Sequence, residues 1–461
     1  EDPHAQYFKS DFDTEDDMIA YGLDLCRQVE AEGAALLVNN GALPLANGSR
    51  VSTLSSSSVN IVYGGTGSAN VDASKADNLK VALEKSGFVV NPTLWDWYLS
   101  EEGSAYNRSA SAGESAVLAG QASIAEVPME VYPQEVLDSV ADYGDAVIIT
   151  FSRVGGEGYD LEFQNYNYLE LDANERAMLS WASEQKKAGK VKSVIVLINS
   201  SNALQVDFLK DTAYDVDACL WIGGVGISGT NAVTDILAGL VNPSGSLVDT
   251  YCYDNYSSAA MQNFIATQYA GDLSLIPDSA KSYMIYQEGI YVGYKYYETR
   301  YEDAVMGTGN AGNYVYSDDV AFPFGYGLSY TDFTIKCAET WVEASRVHLK
   351  AQVTNTGSRS GKEVAQLYLS APEGGMTKEY QSLAAFAKTK ELAPGESETL
   401  ELSFDLSELA SYREQDGAYV LEAGEYVLRL GNSSRNTAPA AVLHLGKTVI
   451  ISRHDHICPP M

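Results

Sequence analysis

A change of period divides this chain in two. Between residues 145 and 240, short apolar runs alternate with stretches of helical spacing; from about Asp332 onward, apolar residues fall at every second position. The first pattern suits strands buried on both faces, because successive parallel strands need a crossover that is usually a helix. Residues 145–150, 194–199 and 218–222 read as such strands, and residues 174–187, 204–209 and 229–240 as helices. Upstream, 51–63 is β-rich, 75–85 helical and 88–92 strand-like. The expected fold of this part is a layered α/β sandwich with a mostly parallel sheet.

The second pattern is that of strands with one buried face. Val347, Leu349, Ala351 and Val353 alternate with polar residues, as do Leu400, Leu402, Phe404 and Leu406, and Tyr426, Leu428 and Leu430. About 115 residues of such strands make an immunoglobulin-like β-sandwich. Between the two patterns lies an irregular, tyrosine-rich stretch, 242–330, that suits packing between domains, with rings buried and hydroxyls partnered, ahead of the alternative of direct ligand contact. The lead-in is acidic, and Leu23, Cys26, Val29, Gly33 and Leu36 recur at helical spacing. The expected division is a helical lead-in at 1–30, the α/β domain at 31–310, a linker at 311–331, the sandwich at 332–449 and a tail at 450–461.

Charge narrows the partners. Sixty-two acidic against 30 basic residues leave a net charge of -32, which repels phosphate backbones and anionic lipid. Nucleic acid is not an expected partner, and no apolar run reaches the length of a membrane span. The five cysteines are scattered without a CxxC spacing, so no metal, cofactor or disulfide framework is implied. His454-Asp455-His456 reads as a frayed chain end rather than a ligand pair. The opening EDPHAQYF lacks an initiator Met and fits a trimmed or mature end.

The stretch that offers chemistry follows the 145–150 strand. Gly155-Gly156-Glu157-Gly158 sets one carboxylate among residues without side-chain bulk, at the strand end where α/β folds place their sites. Such a loop can also be a plain turn with a solvated Glu157. The Gly64-Gly65-Thr66-Gly67-Ser68 loop is likewise either a turn or a ligand contact, and it lacks the spacing and lysine of a phosphate loop.

Five stretches together resemble glycoside hydrolase family 3, the β-glucosidase and β-xylosidase family. They are Glu32-Gly-Ala-Ala-Leu-Leu-Val-Asn-Asn-Gly-Ala-Leu-Pro-Leu45, the Gly-Glu-Gly-Tyr-Asp loop, Asn242-Pro-Ser-Gly245, EGIYVGYKYYET at 288–299 and FPFGYGLSYTDF at 322–333. The resemblance covers residues 30–450, in family order and spacing, and implies an α/β sandwich followed by a fibronectin type III-like domain. The YGGTGS and NPTLWDWY segments are most similar to members with permuted domain order. Val38 stands where the family usually has Lys, and Ser246-Leu247-Val248 where it has a basic residue and Leu-Pro.

The resemblance implies that Glu157 is the catalytic acid/base, that Ser68 contacts the sugar, and that Arg153 and Tyr159 flank Glu157 in the substrate site; Arg153 equally suits pairing with a structural carboxylate. It also implies a partner: the family's nucleophile is an Asp in a Ser-Asp-Trp segment of a (β/α)8 barrel. No Ser-Asp-Trp occurs here, and a barrel of about 250 residues does not fit before residue 30. Asp96-Trp97 lies where family members have packing residues. The expected role is therefore part of a retaining β-glycosidase acting on a β-glucoside or related oligosaccharide, with the barrel domain or a second polypeptide supplying the nucleophile. The alternative is a non-catalytic carbohydrate-binding or interaction remnant of the same family.

Overall fold

A computed structural model describes residues 10–65, 67–107, 126–155, 168–262, 267–277 and 281–455. The α/β part is built on a six-stranded sheet of order β1-β6-β5-β4-β2-β3. Its strands are β1 (Ala35–Asn39), β2 (Arg50–Leu54), β3 (Val89–Val90), β4 (Ala146–Arg153), β5 (Val194–Ser200) and β6 (Ala218–Trp221). All neighbours are parallel except β1, which runs antiparallel to β6 at the edge.

The two faces of the sheet fill two cores. Val147, Ile149 and Phe151 of β4 and Val194, Val196 and Ile198 of β5 pack with Met178, Leu179 and Ala182 of helix Ala173–Lys187 and with Leu94 and Trp97 of helix Pro92–Tyr98. Ala146, Ile148, Ile195 and Leu197 face the other way, against Leu79 and Leu83 of helix Leu79–Lys85 and Val233, Ile236 and Leu237 of helix Gly229–Leu237. Burial on both sides is why these strands read as unbroken apolar runs.

Two expectations shift. The lead-in helix is α1, Glu15–Gly33, capped by Thr14; Leu36 belongs to β1, not to the helical stripe. The β-rich 51–63 run leaves the sheet after Leu54 and turns into the short helix Ser56–Val59. The Trp-Asp-Trp segment lies in helix Pro92–Tyr98, with Leu94, Trp95, Trp97 and Tyr98 buried and Asp96 exposed.

The C-terminal domain is a sandwich of antiparallel sheets. One holds Phe333–Glu343, Arg346–Asn355 and Ser397–Asp405; a second holds Ser382–Lys388, Val364–Ser370, Gly424–Gly431 and Thr437–Leu445. A small third holds Ser411–Arg413, Ala418–Leu421 and Val449–Arg453, the last of these in the expected tail but for Val449. Val347, Leu349, Ala351 and Val353 are buried between the first two with Leu402, Phe404, Leu428 and Leu430, on the faces the alternation assigns inward. The tyrosine-rich stretch ties the domains together. Leu328 bridges to Leu36 at the β1 edge, Tyr330 Oη donates to the Ile236 carbonyl (2.8 Å), and Tyr294 stacks on Phe324 while its hydroxyl accepts from the Leu383 N–H (2.9 Å).

Candidate active site at the carboxyl edge of the sheet

β2, β4, β5 and β6 end on one edge of the sheet. The chain continues from β2 to β3 on one side and from β4 to β5 on the other, so the sheet switches direction between β2 and β4. That crevice is where an open α/β sheet can admit a ligand. Both loops of interest start there, the 61–68 loop after β2 and the 154–155 stem after β4.

Their glycines explain how close they lie. A Cβ on Gly65 would stand 3.1 Å from the Gly155 carbonyl oxygen, and one on Gly155 would stand 2.8 Å from Oδ1 of Asn202, just beyond β5. At Gly64 it would meet the Ala69 carbonyl at 2.5 Å and the Val71 side chain at 2.8 Å, because the loop folds back over it. Ser68 sits in the turn Gly67–Ala69 and is exposed. The sequence thus brings the Ser68 loop and the stem leading to Glu157 into contact. Glu157 and Tyr159 themselves lie outside the described residues.

Arg153 ends β4 and is wholly buried. Its five donors all have partners: Glu175 Oε1 and Oε2 at 2.8 Å each, the carbonyls of Ser152 (3.0 Å) and Glu170 (2.6 Å), and the Tyr168 carbonyl. The Glu175 charge holds the guanidinium protonated against the pull of burial. Glu175 is fixed in turn by the capping box of helix Ala173–Lys187, its carboxylate accepting from the Asp172 N–H at 3.0 Å. The Tyr168 hydroxyl accepts from the Val154 N–H at 2.7 Å. Val154 and Tyr168, on either side of residues 156–167, therefore meet at Arg153. Arg153 is paired to a structural carboxylate, the second of its two readings: with no donor left over, it clamps the stems of the segment that carries Glu157.

Sequence reasoning passes over Asn199, which is fully buried at the end of β5. Its Oδ1 accepts from the Val62 N–H and the Ser152 hydroxyl, both at 2.7 Å, and its Nδ2 donates to the carbonyls of Val62 (2.9 Å) and Gly223 (2.6 Å). One amide thus joins the strands and loops after β2, β4 and β6. The only signal in the sequence is Asn199-Ser200-Ser201, which reads as a glycosylation acceptor and is ruled out as one by burial.

Beneath the crevice, Ser55 holds a positive φ of 120°, with its N–H donating to Tyr98 Oη (2.7 Å) and its hydroxyl to the Thr150 carbonyl (2.9 Å). Glu126 accepts at one oxygen from the Ser56 and Val127 N–H groups, each at 2.9 Å. Burial pushes its carboxyl up to about 8, the two N–H bonds opposing the rise. Among the described residues no group of three His, Cys, Asp or Glu could hold a metal ion, and no helix is long and apolar enough to cross a membrane.

Residues 34–294 match the glycosyl hydrolase family 3 C-terminal domain, and residues 363–434 match a fibronectin type III-like domain. The chain belongs to glycosyl hydrolase family 3. A family 3 relative from Ruminococcus albus, a β-glucosidase, is 30% identical over 95% of this chain and 42% of its own length. β-Glucosidase A of Butyrivibrio fibrisolvens is 30% identical over 94% of this chain and 52% of its own. Among solved structures, β-glucosidase 3B of Thermotoga neapolitana in complex with α-D-glucose superposes with a TM-score of 0.77 at 28% identity, over 94% of this chain and 55% of that one. The chain spans about half the length of the curated family 3 relatives it matches.

Proposed function

We propose that this chain supplies the acid/base carboxylate, Glu157, and part of the pocket rim to a retaining β-glycosidase, with the nucleophile on a (β/α)8 barrel outside these 461 residues. A retaining enzyme needs two carboxyl groups about 5 to 5.5 Å apart, one to attack the anomeric carbon and one to protonate the leaving oxygen and then activate water. To serve as the acid near neutral pH, Glu157 needs a raised pKa, which burial against a barrel face and a neighbouring carboxylate would give it. Ser68 would hydrogen-bond the sugar, and Tyr159 would flank the acid.

One observation carries this reading. The stems on either side of residues 156–167 close on Arg153 beside the Ser68 loop, at the crevice between β2 and β4. A rigid base is what a proton donor needs if it is to meet a leaving oxygen within hydrogen-bond reach.

The test is complementation with a separately produced barrel bearing Ser-Asp-Trp. The 461-residue chain alone should not hydrolyse an aryl β-glucoside, and the mixture should. Glu157→Gln should then lower kcat/KM for substrates with poor leaving groups far more than for a dinitrophenyl glucoside, whose leaving group departs without a proton. Equal loss on both, or hydrolysis by the chain alone, would sink the proposal.

A further inference from the structure

A second concave site lies on the segment that follows strand Tyr251–Cys252. After strand Tyr251–Cys252 the chain makes the turn Asn255–Ser257, anchored by Asn255, whose N–H donates to Gln205 Oε1 (3.0 Å) and whose Nδ2 donates to the Ala203 carbonyl (3.1 Å). Ala203 follows Asn202, the residue against Gly155. Between this turn and helix Tyr294–Met306 is a cavity of about 470 Å³, lined by Ser257, Gln262, Glu288, Tyr296 and Arg300 among others. That volume lies within the ~300–1,000 Å³ usual for small-molecule sites.

The cation in it is held in place. Arg300 lies over the Tyr314 ring at 4.8 Å and the Tyr296 ring at 5.7 Å, and it donates to the Tyr296 hydroxyl. Its Nε is buried and has no hydrogen-bond partner among the described residues. A guanidinium fixed by two rings has little freedom left to lose on binding.

We propose that this cavity binds a neutral saccharide. Guanidinium and carboxylate in one cavity offer donors and acceptors to vicinal hydroxyls, the amide of Gln262 offers both, and the Tyr296 ring suits the apolar face of a sugar. An anionic ligand is disfavoured twice, by Glu288 inside the cavity and by the net charge of -32. The choice of a saccharide over other neutral polyols rests on the glycosidase reading. The anchorage of the Ser257 wall beside the Gly155 stem suits a distal unit of the same oligosaccharide.

Calorimetric titration of the 461-residue chain with a β-linked gluco-oligosaccharide of four units tests this without barrel or turnover. Saturable binding is expected in the parent chain and in Glu157→Gln, weakened about tenfold or more by Glu288→Gln and by Arg300→Lys. Glu288→Gln changes one half-buried side chain, so its loss of binding does not report misfolding. Binding that survives both substitutions, or that is lost in Ser68→Ala instead, overturns the second site. Absence of binding up to millimolar sugar overturns it too. These outcomes leave the acid/base assignment standing, since that stands or falls on turnover with the barrel.

Discussion

Gly327 crosses Gly245 so closely that a Cβ on Gly327 would stand 2.0 Å from the Gly245 carbonyl oxygen. A Cβ on Gly245 would in turn stand 2.3 Å from the carbonyl oxygens of Gly33 and Ala34. Asn242 secures the crossing: its Oδ1 accepts from the Tyr330 N–H (2.8 Å) and the Ser329 hydroxyl (2.9 Å), and its Nδ2 donates to the Ser360 carbonyl (2.8 Å). The Asn-Pro-Ser-Gly motif and the Phe-Gly-Tyr-Gly-Leu-Ser-Tyr motif are therefore two halves of one joint between the α/β domain and the sandwich. Gly327→Ala should destabilise by about 3 kcal/mol, at the upper end for overpacking, because backbone rather than a flexible side chain must yield. Urea unfolding followed by circular dichroism checks it. Gly33→Ala, with nothing within 4 Å of the new methyl, should cost nothing and serves as the control.

What the sequence disclosed and what it hid divide along the range of the interactions. The 347–353 alternation and the apolar run of β4 report the solvent exposure of each residue's own strand, so local pattern suffices for them. Leu36 instead pairs with Leu220, and a helical stripe through Leu23, Cys26 and Val29 continues into it by coincidence. The turn after Leu54 is made by Ser55 and Ser56 bonding to Tyr98, Thr150 and Glu126, partners that no nearby residue announces. Arg153 is the sharpest case. Its place near Glu157 and a pairing with some structural carboxylate are both legible in the sequence, but the partner, Glu175, lies 22 residues further on.

Replacing Arg153 by Met should leave the Glu175 carboxylate buried without its cation. Breaking such a pair from one side typically costs about 3–5 kcal/mol, more than the pair itself contributes. The Arg153→Met, Glu175→Met double variant should lose less than the sum of the singles, since no charge is then stranded. Equilibrium unfolding gives both figures. Proteolysis between residues 156 and 167 should also quicken in Arg153→Met, because the clamp on both stems is gone.

Asn199→Ala removes four hydrogen bonds and leaves the Val62 N–H and the Gly223 carbonyl unpaired in a closed interior. A cost on the order of 3 kcal/mol follows from the desolvated groups left behind. Amide hydrogen exchange should show faster exchange at Val62. If exchange there is unchanged, the amide does not hold the carboxyl-edge loops together.

Stability should be highest near pH 5 and should fall toward pH 8. Burial pushes Glu126 and Glu30 from a usual 4.5 up to about 8 each, so the folded chain keeps protons there that the unfolded chain has released. Their contribution is whole below pH 4.5, where both states are protonated, and is lost as pH rises toward about 8. For Glu126 alone the full shift corresponds to roughly 5 kcal/mol. Glu32 acts in the opposite sense. Burial opposes ionisation there, but bonds to Lys362 and the charge of Lys388 outweigh it and hold the carboxyl down at about 2. Its contribution is present above pH 4.5 and lost as pH falls toward 2. Thermal melts from pH 3 to 9 should therefore trace a dome. Glu126→Gln keeps an oxygen for the Ser56 and Val127 N–H groups but cannot ionise, so it should flatten the alkaline limb and leave the acid limb in place. An unchanged alkaline slope in that variant would place the titrating group elsewhere.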